Sequence, residues 1–389
     1  MTLISRIDVL TATLPFRLSF GHALAARRST DNVYVRVTLD DGSVGFGEGV
    51  PRDYVTGETV EGAVTAIAER YAPCVLGRDV RQAVDVPGFI DDAAEVAASP
   101  GAEPEPAAWC ALELAMLDAF GHHFDCSVSQ WLGGRPPTPR VRYDFIVPFA
   151  GPRTLGIVGL LIRAAGFHQV KMKVGYDVEA AVRGLAILRR MVGDGVDLRV
   201  DANCAWTSHQ ALAAIARLRP FGISGVEQPV AADDVAGLRH VTQAVPESII
   251  VDESLCSVAD ARRLIDAGAC NAFNIRVSKC GGLRNSARIA RMAEHAGLAC
   301  VVGAQVGESG ILSAAGRHLA ASLPRVRHLE GSAGRLLLKE DLTMDNVMPG
   351  WGGWARSFAG PGLGVRMRPD LLARYGRLRR TLEAARVVA

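Results

Sequence analysis

Apolar and polar residues alternate in short runs through the first part of the chain. The runs ISRIDVLTATLPF, VYVRVTL and VGFGE extend from residue 4 to about residue 46, and turn residues such as Asp41-Gly42 separate them. Alternation with a period of two is typical of β-strands with one buried face, and a short glycine-containing turn joins antiparallel neighbours. This part of the sequence predicts a small antiparallel sheet.

The pattern becomes helical and rich in alanine from residue 60 to about residue 132. The stretches EGAVTAIAERYAPCVLG and AAWCALELAMLDAFGHHF show apolar positions three or four residues apart. Such spacing places apolar side chains on one face of a helix. Proline and glycine near residues 100–106 interrupt the pattern, so at least two helices are expected after the sheet.

After residue 133 short β-rich runs alternate with helical ones. Strands are predicted at 141–149, 169–174, 197–203, 223–229, 249–254, 272–279, 298–305 and 325–332. Eight strands linked by helices, at a repeat of roughly 25 residues, indicate an α/β fold with a parallel β/α barrel of the TIM type.

The segment 348–389 departs from this rhythm, with Trp351, Trp354 and the turn-rich GPGLGV. We expect it to leave the barrel and return to the first part of the chain. The predicted domains are a capping domain of residues 1–132 together with about 350–389, and a catalytic barrel of residues 133–349.

Composition narrows the class of protein. The 389 residues carry a formal net charge of +2, which argues against nucleic acid or an anionic membrane as a partner and favours a small molecule. The eight cysteines include no CxxC pair, and the start has no basic segment followed by a long apolar core. We expect a cytoplasmic protein in a reducing compartment, and a homo-oligomer.

Three acidic residues end consecutive predicted strands of the barrel. Asp201, Glu227 and Asp252 recur at intervals of 26 and 25 residues. Active sites of β/α barrels lie at the carboxyl ends of the strands, so these acids should be neighbours. Like charges at close range repel unless a cation lies among them, and carboxylates with open positions suit Mg²⁺. The spacing therefore predicts a magnesium site.

Lysines complete the predicted site. In the run VKMKVG, Lys171 and Lys173 share one face of a strand, and Lys279 ends the predicted sixth strand. Strands two and six face each other across an eight-strand ring, so Lys173 and Lys279 are expected to flank a ligand. Lys171, one layer deeper, is expected to tune Lys173 as a general base.

Two polar neighbours of the acids are expected to have supporting roles. Asn203 shares the face of Asp201 and should orient a ligand or water. Glu253 follows Asp252 and should point off its face, as a support or an ion-pair partner.

The motifs KMK, DAN, EQP, VDES and SKCGG, in this order, resemble the enolase superfamily and its muconate lactonizing enzyme subgroup. The resemblance implies a modified (β/α)7β barrel under an α+β capping domain built from both chain ends. It also implies Mg²⁺, with Mn²⁺ as a substitute, on Asp201, Glu227 and Asp252, and Lys173 and Lys279 as acid/base catalysts.

The chemistry implied by this resemblance is removal of the proton α to a carboxylate through an enediolate. Two facing lysines allow one to take the proton and the other to return one, which gives racemisation or epimerisation of a small carboxylate such as an amino-acid derivative. The same groups also allow muconate-type cycloisomerisation, or a dehydratase or synthase reaction. Both alternatives stay open at this point.

Substrate specificity is expected to come from two places. The loop at 19–30 contains Arg27 and Arg28, which could bind a second anionic group. The end of the eighth strand reads Glu330-Gly331-Ser332, where dipeptide epimerases of the resembled family have an Asp-x-Asp pair that grips an amino group. This difference argues against a dipeptide as the substrate.

Enzymes of other classes remain as alternatives. A glycoside hydrolase could use Glu227 and Asp252 as its carboxylate pair, but would need neither a third acid nor facing lysines. A Schiff-base aldolase could use Lys173 or Lys279. The run VGFGEG resembles a glycine-rich phosphate loop, but no helix pattern opens directly after it, which favours a turn.

Overall fold

The protein is described from a computed structural model that covers residues 2–22, 25–98, 105–133 and 137–385, with the side chains of residues 18–27 outside the description. The strands are β1 (Thr2–His22), β2 (Ala25–Leu39), β3 (Val44–Gly49), β4 (Asp79–Val80), β5 (Arg140–Arg142), β6 (Phe145–Val147), β7 (Gln169–Lys173), β8 (Asp197–Asp201), β9 (Ile223–Glu227), β10 (Ser248–Val251), β11 (Ala272–Arg276), β12 (Ala299–Gly303), β13 (His328–Leu329), β14 (Trp354–Arg356) and β15 (Gly376–Glu383).

The helices are α1 (Asp53–Thr56), α2 (Val60–Ala66), α3 (Val86–Ala97), α4 (Pro106–Phe124), α5 (Pro152–Ala164), α6 (Val178–Val192), α7 (Ser208–Leu218), α8 (Val235–Ala244), α9 (Val258–Ala267), α10 (Gly282–His295), α11 (Gly310–Ser322), α12 (Gly334–Leu337) and α13 (Pro369–Tyr375). A π-helical turn at Ile67–Tyr71 continues α2, and short 3-10 segments lie at Ala72–Cys74, Ala83–Asp85, Val128–Trp131, Arg219–Phe221 and Trp351–Gly353. None of the helices in the described residues is long and apolar enough to cross a bilayer.

The first part of the chain forms an antiparallel sheet in the order β15-β1-β2-β3, with β4 also paired to β1. Helix α4 packs across β3, where the glycines of VGFGEG leave room for its backbone. Strand β15, near the end of the chain, pairs with β1 from Ala12↔Gly376 to Arg6↔Glu383. The cap is therefore built from both ends of the chain, as predicted.

The central part forms an eight-stranded sheet in the order β6-β7-β8-β9-β10-β11-β12-β13. Every pairing in it is parallel, and helices connect the strands from β6 to β13. The amide of Asp144, beside β6, donates to the carbonyl of Leu329 in β13 at 2.7 Å, so the first and last strands approach each other. This is the expected modified barrel.

The strands differ from the predicted ones chiefly at their ends. The run predicted as one strand at 141–149 is split, and only β6 enters the barrel, whereas β5 pairs with β14 beside it. Several barrel strands stop two or three residues early, since Asn203, Gln228 and Ser332 have φ angles of 45°, 37° and 52°. A left-handed residue ends the extended conformation, and such residues concentrate at functional sites.

Candidate active site

The three predicted acids lie together at the carboxyl ends of adjacent strands. Asp201, the last residue of β8, is in register with Glu227, the last residue of β9. Glu227 is also in register with Ile250 of β10, and Asp252 follows that strand directly. All three carboxylates are fully buried. The parallel register therefore sets them side by side on one arc of the barrel mouth.

Lys173 ends β7, beside this arc. Its Nζ donates to Asp201 Oδ2 at 2.9 Å and to Asn203 Oδ1 at 2.7 Å. Asn203 in turn donates from Nδ2 to Glu253 Oε1 at 3.0 Å. Because two acceptors fix it, the Lys173 amine is oriented toward the cavity described below.

Lys171 lies one layer deeper and binds acids instead of touching Lys173. Its Nζ donates to Glu227 Oε1 at 2.7 Å and to Glu330 Oε2 at 2.8 Å. Arg199 donates to Glu227 Oε2 at 2.9 Å and forms a second ion pair with Glu330. Burial opposes ionisation of Glu330, but the charges of Lys171 and Arg199 prevail and lower its pKa to about 2. Glu330, predicted to contact the substrate, is thus already paired with two cations.

The placement of Lys279 differs from the prediction. It lies three residues beyond β11, its side chain is 0% exposed, and its Nζ donates to Asp252 Oδ1 at 2.8 Å and to the backbone carbonyls of Asp252 and Asn274. It does not line the cavity. We correct the prediction that Lys279 faces Lys173, because β11 ends at Arg276 and the chain turns before Lys279.

Arg276 occupies the expected position of the second reacting group. It is the last residue of β11, lines the cavity and forms an ion pair with Asp252. Strand β11 is four strands from β7 in the eight-strand order, so Arg276 is on the opposite side of the barrel mouth from Lys173. The group that faces the lysine is therefore a guanidinium.

Burial and repulsion from neighbouring acids raise the pKa of two acids of the site, Glu227 and Glu253. Burial raises the pKa of Glu227 to about 7 against the lowering effect of Lys171, and the charges of Asp201 and Glu330 add to the rise. Burial and the charges of Asp252 and Asp201 raise the pKa of Glu253 to about 7 as well. Glu253 was predicted to point away from this face, but it lines the cavity and its Oε2 has no partner among the described residues.

The acids have the donor chemistry of a magnesium site. All are hard oxygen ligands on neighbouring strand ends, and a divalent cation among them would favour the ionised form of Glu227, whose pKa burial raises. Within the described part of the chain, no group of three Asp, Glu, His or Cys side chains is gathered around one point. Each acid instead forms an ion pair with a basic side chain, as in the pairs Lys173–Asp201 and Arg276–Asp252.

A cavity of about 830 Å³ lies over these groups, between barrel and cap. The barrel contributes Lys171, Lys173, Asn203, Glu253, Arg276, Gln305, Glu308 and Glu330, and the cap contributes Arg52, Tyr54 and Val55. Phe145, Ile146, Leu161, Phe167, Leu336 and Trp351 supply an apolar wall. The cavity can therefore hold a molecule with a charged end and an apolar part.

The remaining predicted residues lie outside this arrangement or outside the description. Arg28 is exposed on β2, and the side chain of Arg27 lies outside the described residues. Trp354 is partly exposed and packs under the Arg142 guanidinium at 5.3 Å, away from the cavity residues.

Arg276 was not among the residues predicted for the site, although the alternation of polar and apolar residues in β11 pointed to it. In AFNIR, polar Asn274 and Arg276 alternate with apolar Phe273 and Ile275. Asn274 points inward and donates to Glu227 Oε1 at 3.0 Å, so Arg276, two residues later, takes the same face. No comparable alternation of polar and apolar residues pointed to Gln305 and Glu308, which lie in the run GAQVGESG at the end of β12.

Comparison with known proteins identifies the family. Residues 159–371 match the model "Enolase C-terminal domain-like", which covers more than half of the chain. Residues 2–133 match the model "Mandelate racemase / muconate lactonizing enzyme, N-terminal domain". The chain belongs to the enolase superfamily. The predictions of this family and of its modified barrel fold are confirmed.

Relatives of this enolase-superfamily chain are isomerases. It is 32% identical over 319 residues to the hydrophobic dipeptide epimerase of Enterococcus faecalis, covering 82% of this chain and 87% of that one. It is 28% identical over 370 residues to the N-succinyl-L-Arg/Lys racemase of Bacillus cereus, covering 95% and 96%. The predicted class of enzyme, an isomerase of this superfamily, is confirmed.

Solved structures agree with the sequence relatives. The Bacillus cereus racemase superposes with a TM-score of 0.89 over 98% of this chain and 100% of that one, at 28% identity. The muconate lactonizing enzyme of Pseudomonas fluorescens, complexed with muconolactone, gives 0.88 over 97% and 100%, at 26% identity. The Enterococcus faecalis dipeptide epimerase, complexed with Mg and the dipeptide L-Leu-L-Tyr, gives 0.84 over 93% and 99%, at 29% identity. The family thus points to Mg²⁺, and these isomerases lend no support to a glycosidase or aldolase.

Proposed function

We propose that this enzyme removes the proton α to the carboxylate of an amino-acid derivative, with Lys173 as the base, and that the net reaction is racemisation or epimerisation. The observation that carries the proposal is Lys173 itself. Its Nζ faces the cavity 2.9 Å from Asp201, with three buried acids on the next three strands. The relatives support this substrate class, since they act on dipeptides and N-succinyl amino acids.

Each residue of the proposed site has a separate role that follows from its position. Lys173 accepts the α-proton at Nζ, with Asp201 and Asn203 holding the amine in place. Asp201, Glu227 and Asp252 would hold Mg²⁺, which supplies Lewis-acid stabilisation of the negative charge that develops on the substrate carboxylate. Arg276, across the mouth, adds a fixed positive charge that favours the same carboxylate. Lys171 favours the ionised form of Glu227 and holds this side chain in place.

A second reaction type is favoured by Arg276. Racemisation needs a group on the opposite face that returns a proton, and a guanidinium stays protonated at neutral pH. A cation that only stabilises the enediolate suffices for cycloisomerisation or for elimination from the lysine face. The muconate-type cycloisomerase or dehydratase is therefore the second candidate.

Other expectations stay predictions. These are Mn²⁺ as a substitute for Mg²⁺, the homo-oligomeric state, the cytoplasmic location, and the boundaries of the two predicted domains.

Exchange of the α-proton in D₂O, followed by mass spectrometry on a library of N-acyl amino acids and dipeptides, tests the proposal. Lys173→Met should lose about 100-fold or more of the exchange rate, because it removes the side chain proposed to accept the α-proton. Lys339→Met changes an exposed lysine and should keep the wild-type rate. EDTA should suppress exchange in the wild type. Full exchange in Lys173→Met would refute the proposal.

The same assay separates the two candidate reactions. An epimerase exchanges both enantiomers and interconverts them, whereas an enzyme with one base exchanges a single enantiomer without inversion. Arg276→Lys would put a titratable amine on the face opposite Lys173. If the wild type has only one base, this variant should gain slow inversion. Rapid inversion by the wild type would remove the second candidate.

A further inference from the structure

Gln305 is buried at the mouth of the barrel without hydrogen-bond partners for its side chain. It follows β12 by two residues, is 5% exposed and lines the cavity. Within the described part of the chain neither Oε1 nor Nε2 has a partner. Buried side-chain amides nearly always have hydrogen-bond partners. The buried amide of Gln228, which follows β9, is an example, since it binds Val230, Ser254 and the backbone amide of Asp252. The unpaired amide of Gln305 therefore points to a polar group of a ligand.

Glu308 lies beside Gln305 on the same cavity wall. Its Oε2 accepts from the Gln305 backbone amide at 3.1 Å and its Oε1 from Ser313 Oγ at 3.4 Å. Burial, with the nearby charge of Glu48, raises the pKa of Glu308 to about 8, which favours the neutral carboxylic acid. As such it both donates and accepts hydrogen bonds.

Gly331 lies close to Glu308 on this wall of the cavity, where only a glycine fits. A Cβ at this position would lie 2.6 Å from Ala304 Cβ and 3.1 Å from Glu308 Oε1. The φ angle of +97° also disfavours any residue with a side chain. The absence of a side chain here avoids crowding of Glu308, which lines the cavity.

The carboxylate next to this wall is not free to bind a cation of the ligand. Glu330, the carboxylate on the adjacent strand end, is bound by both Lys171 and Arg199. An ammonium group placed here would have to compete with Lys171 and Arg199 for Glu330, or with the bound proton for Glu308, which is unfavourable, whereas an amide would meet a donor and an acceptor. The cavity wall formed by Gln305 and Glu308 is therefore suited to bind an uncharged polar group of a ligand.

We propose that Gln305, Glu308 and Gly331 form a subsite for an uncharged amide at the far end of the substrate, and that the enzyme disfavours an ammonium group there. The substrate class is then an amino acid whose N-substituent ends in a neutral amide, in preference to a free dipeptide. This inference rests on the proposed function, since it assumes that the carboxylate end lies at Lys173.

Calorimetric binding of two probes, with Mg²⁺ present, tests the subsite. N-acetylglycyl-L-leucine and glycyl-L-leucine share the leucine carboxylate, but acetylation replaces the ammonium with a neutral amide. The wild type should bind the acetylated probe about tenfold tighter or more. Gln305→Glu introduces a carboxylate and should reverse this preference, and Gln305→Leu should abolish it. Gln243→Leu, an exposed glutamine on α8, is the matched control and should keep it.

Stability separates a binding role from a structural one. Gln305→Leu removes an unpaired amide, so the melting temperature without ligand should equal or exceed that of the wild type. Tighter binding of glycyl-L-leucine by the wild type, a preference unchanged in Gln305→Leu, or failure of that variant to fold would each overturn the subsite. α-Deuterium exchange is measured in parallel. Exchange without the binding preference rejects the subsite alone, and the preference without exchange rejects the proposed function alone.

Discussion

Lys171 illustrates how one residue supports the site without facing the substrate. Its ammonium lies between Glu227 and Glu330, at 2.7 and 2.8 Å, and is almost completely buried. Burial lowers its proton affinity, but the charges of these acids prevail and raise the pKa of Lys171 above its ordinary value. The residue is therefore a permanent cation that holds the deeper layer of acids together.

Lys171→Met is expected to destabilise the protein by about 3 kcal/mol, because it leaves buried acids with one cation fewer. Urea unfolding followed by circular dichroism measures the change. The exposed Lys339→Met variant should stay within about 0.5 kcal/mol of the wild type. Adding Glu330→Gln to Lys171→Met should recover part of the loss. Equal stabilities of the two lysine variants would contradict this account.

At the scale of elements, the contact between β3 and α4 explains the run VGFGEG. Gly45, Gly47 and Gly49 lie on one face of β3, and a Cβ on any of them would overlap the backbone of α4 at Ala119, Ala111 or Ala107. The helix repeats small residues every four positions along this contact. The run, predicted as a strand from its alternation and as a turn from its glycines, is a strand whose glycines permit close packing of the helix.

Gly47→Ala should therefore destabilise the cap by about 3 kcal/mol or more, because both the strand and the helix backbone would have to move. The midpoint of urea unfolding is the measurement. Gly151→Ala is the matched control, since a Cβ at that position meets nothing within 4 Å and its φ of −71° suits alanine. A Gly47→Ala protein as stable as this control would show that the helix can shift without cost.

At the scale of the whole molecule, Glu113 joins the cap to the barrel. It lies in α4, is buried, and its Oε1 accepts from the backbone amides of Leu283 at 2.5 Å and Arg284 at 3.1 Å, at the start of barrel helix α10. Burial raises its pKa to about 7, although these two amides favour the ionised form. The acid therefore binds its proton more tightly in the folded protein than in the unfolded chain.

This shift predicts a pH dependence of stability. Since the folded pKa lies above the unfolded value, the contribution of Glu113 is fully present below about pH 4.5 and is lost as pH rises toward about 7. Glu113→Gln cannot ionise, so the fall in unfolding free energy between about pH 5 and about pH 8 should shrink by on the order of 2 kcal/mol. Urea unfolding at both pH values measures it. Glu95→Gln, an exposed acid on α3, should leave the slope unchanged, and an unchanged slope in Glu113→Gln would refute the assignment.

The sequence by itself determined the layers of the molecule and the acid arc. Alternation with period two and the repeat of about 25 residues indicated the barrel, and that repeat also placed Asp201, Glu227 and Asp252 on adjacent strand ends. These features are local or periodic, so they are visible without knowing which groups meet. The same logic put Lys171 and Lys173 on the inward face of β7, where the structure has them.

Only the tertiary structure decided where each strand ends and which polar groups are left without partners. Alternation assigns a face to every residue of a strand but does not reveal that β11 stops at Arg276, which puts the guanidinium in the cavity and turns Lys279 away. The pairing of Glu330 with two cations and the unpaired amide of Gln305 depend on side chains from other strands. Such contacts depend on burial and on neighbours distant in the chain, so no local pattern encodes them.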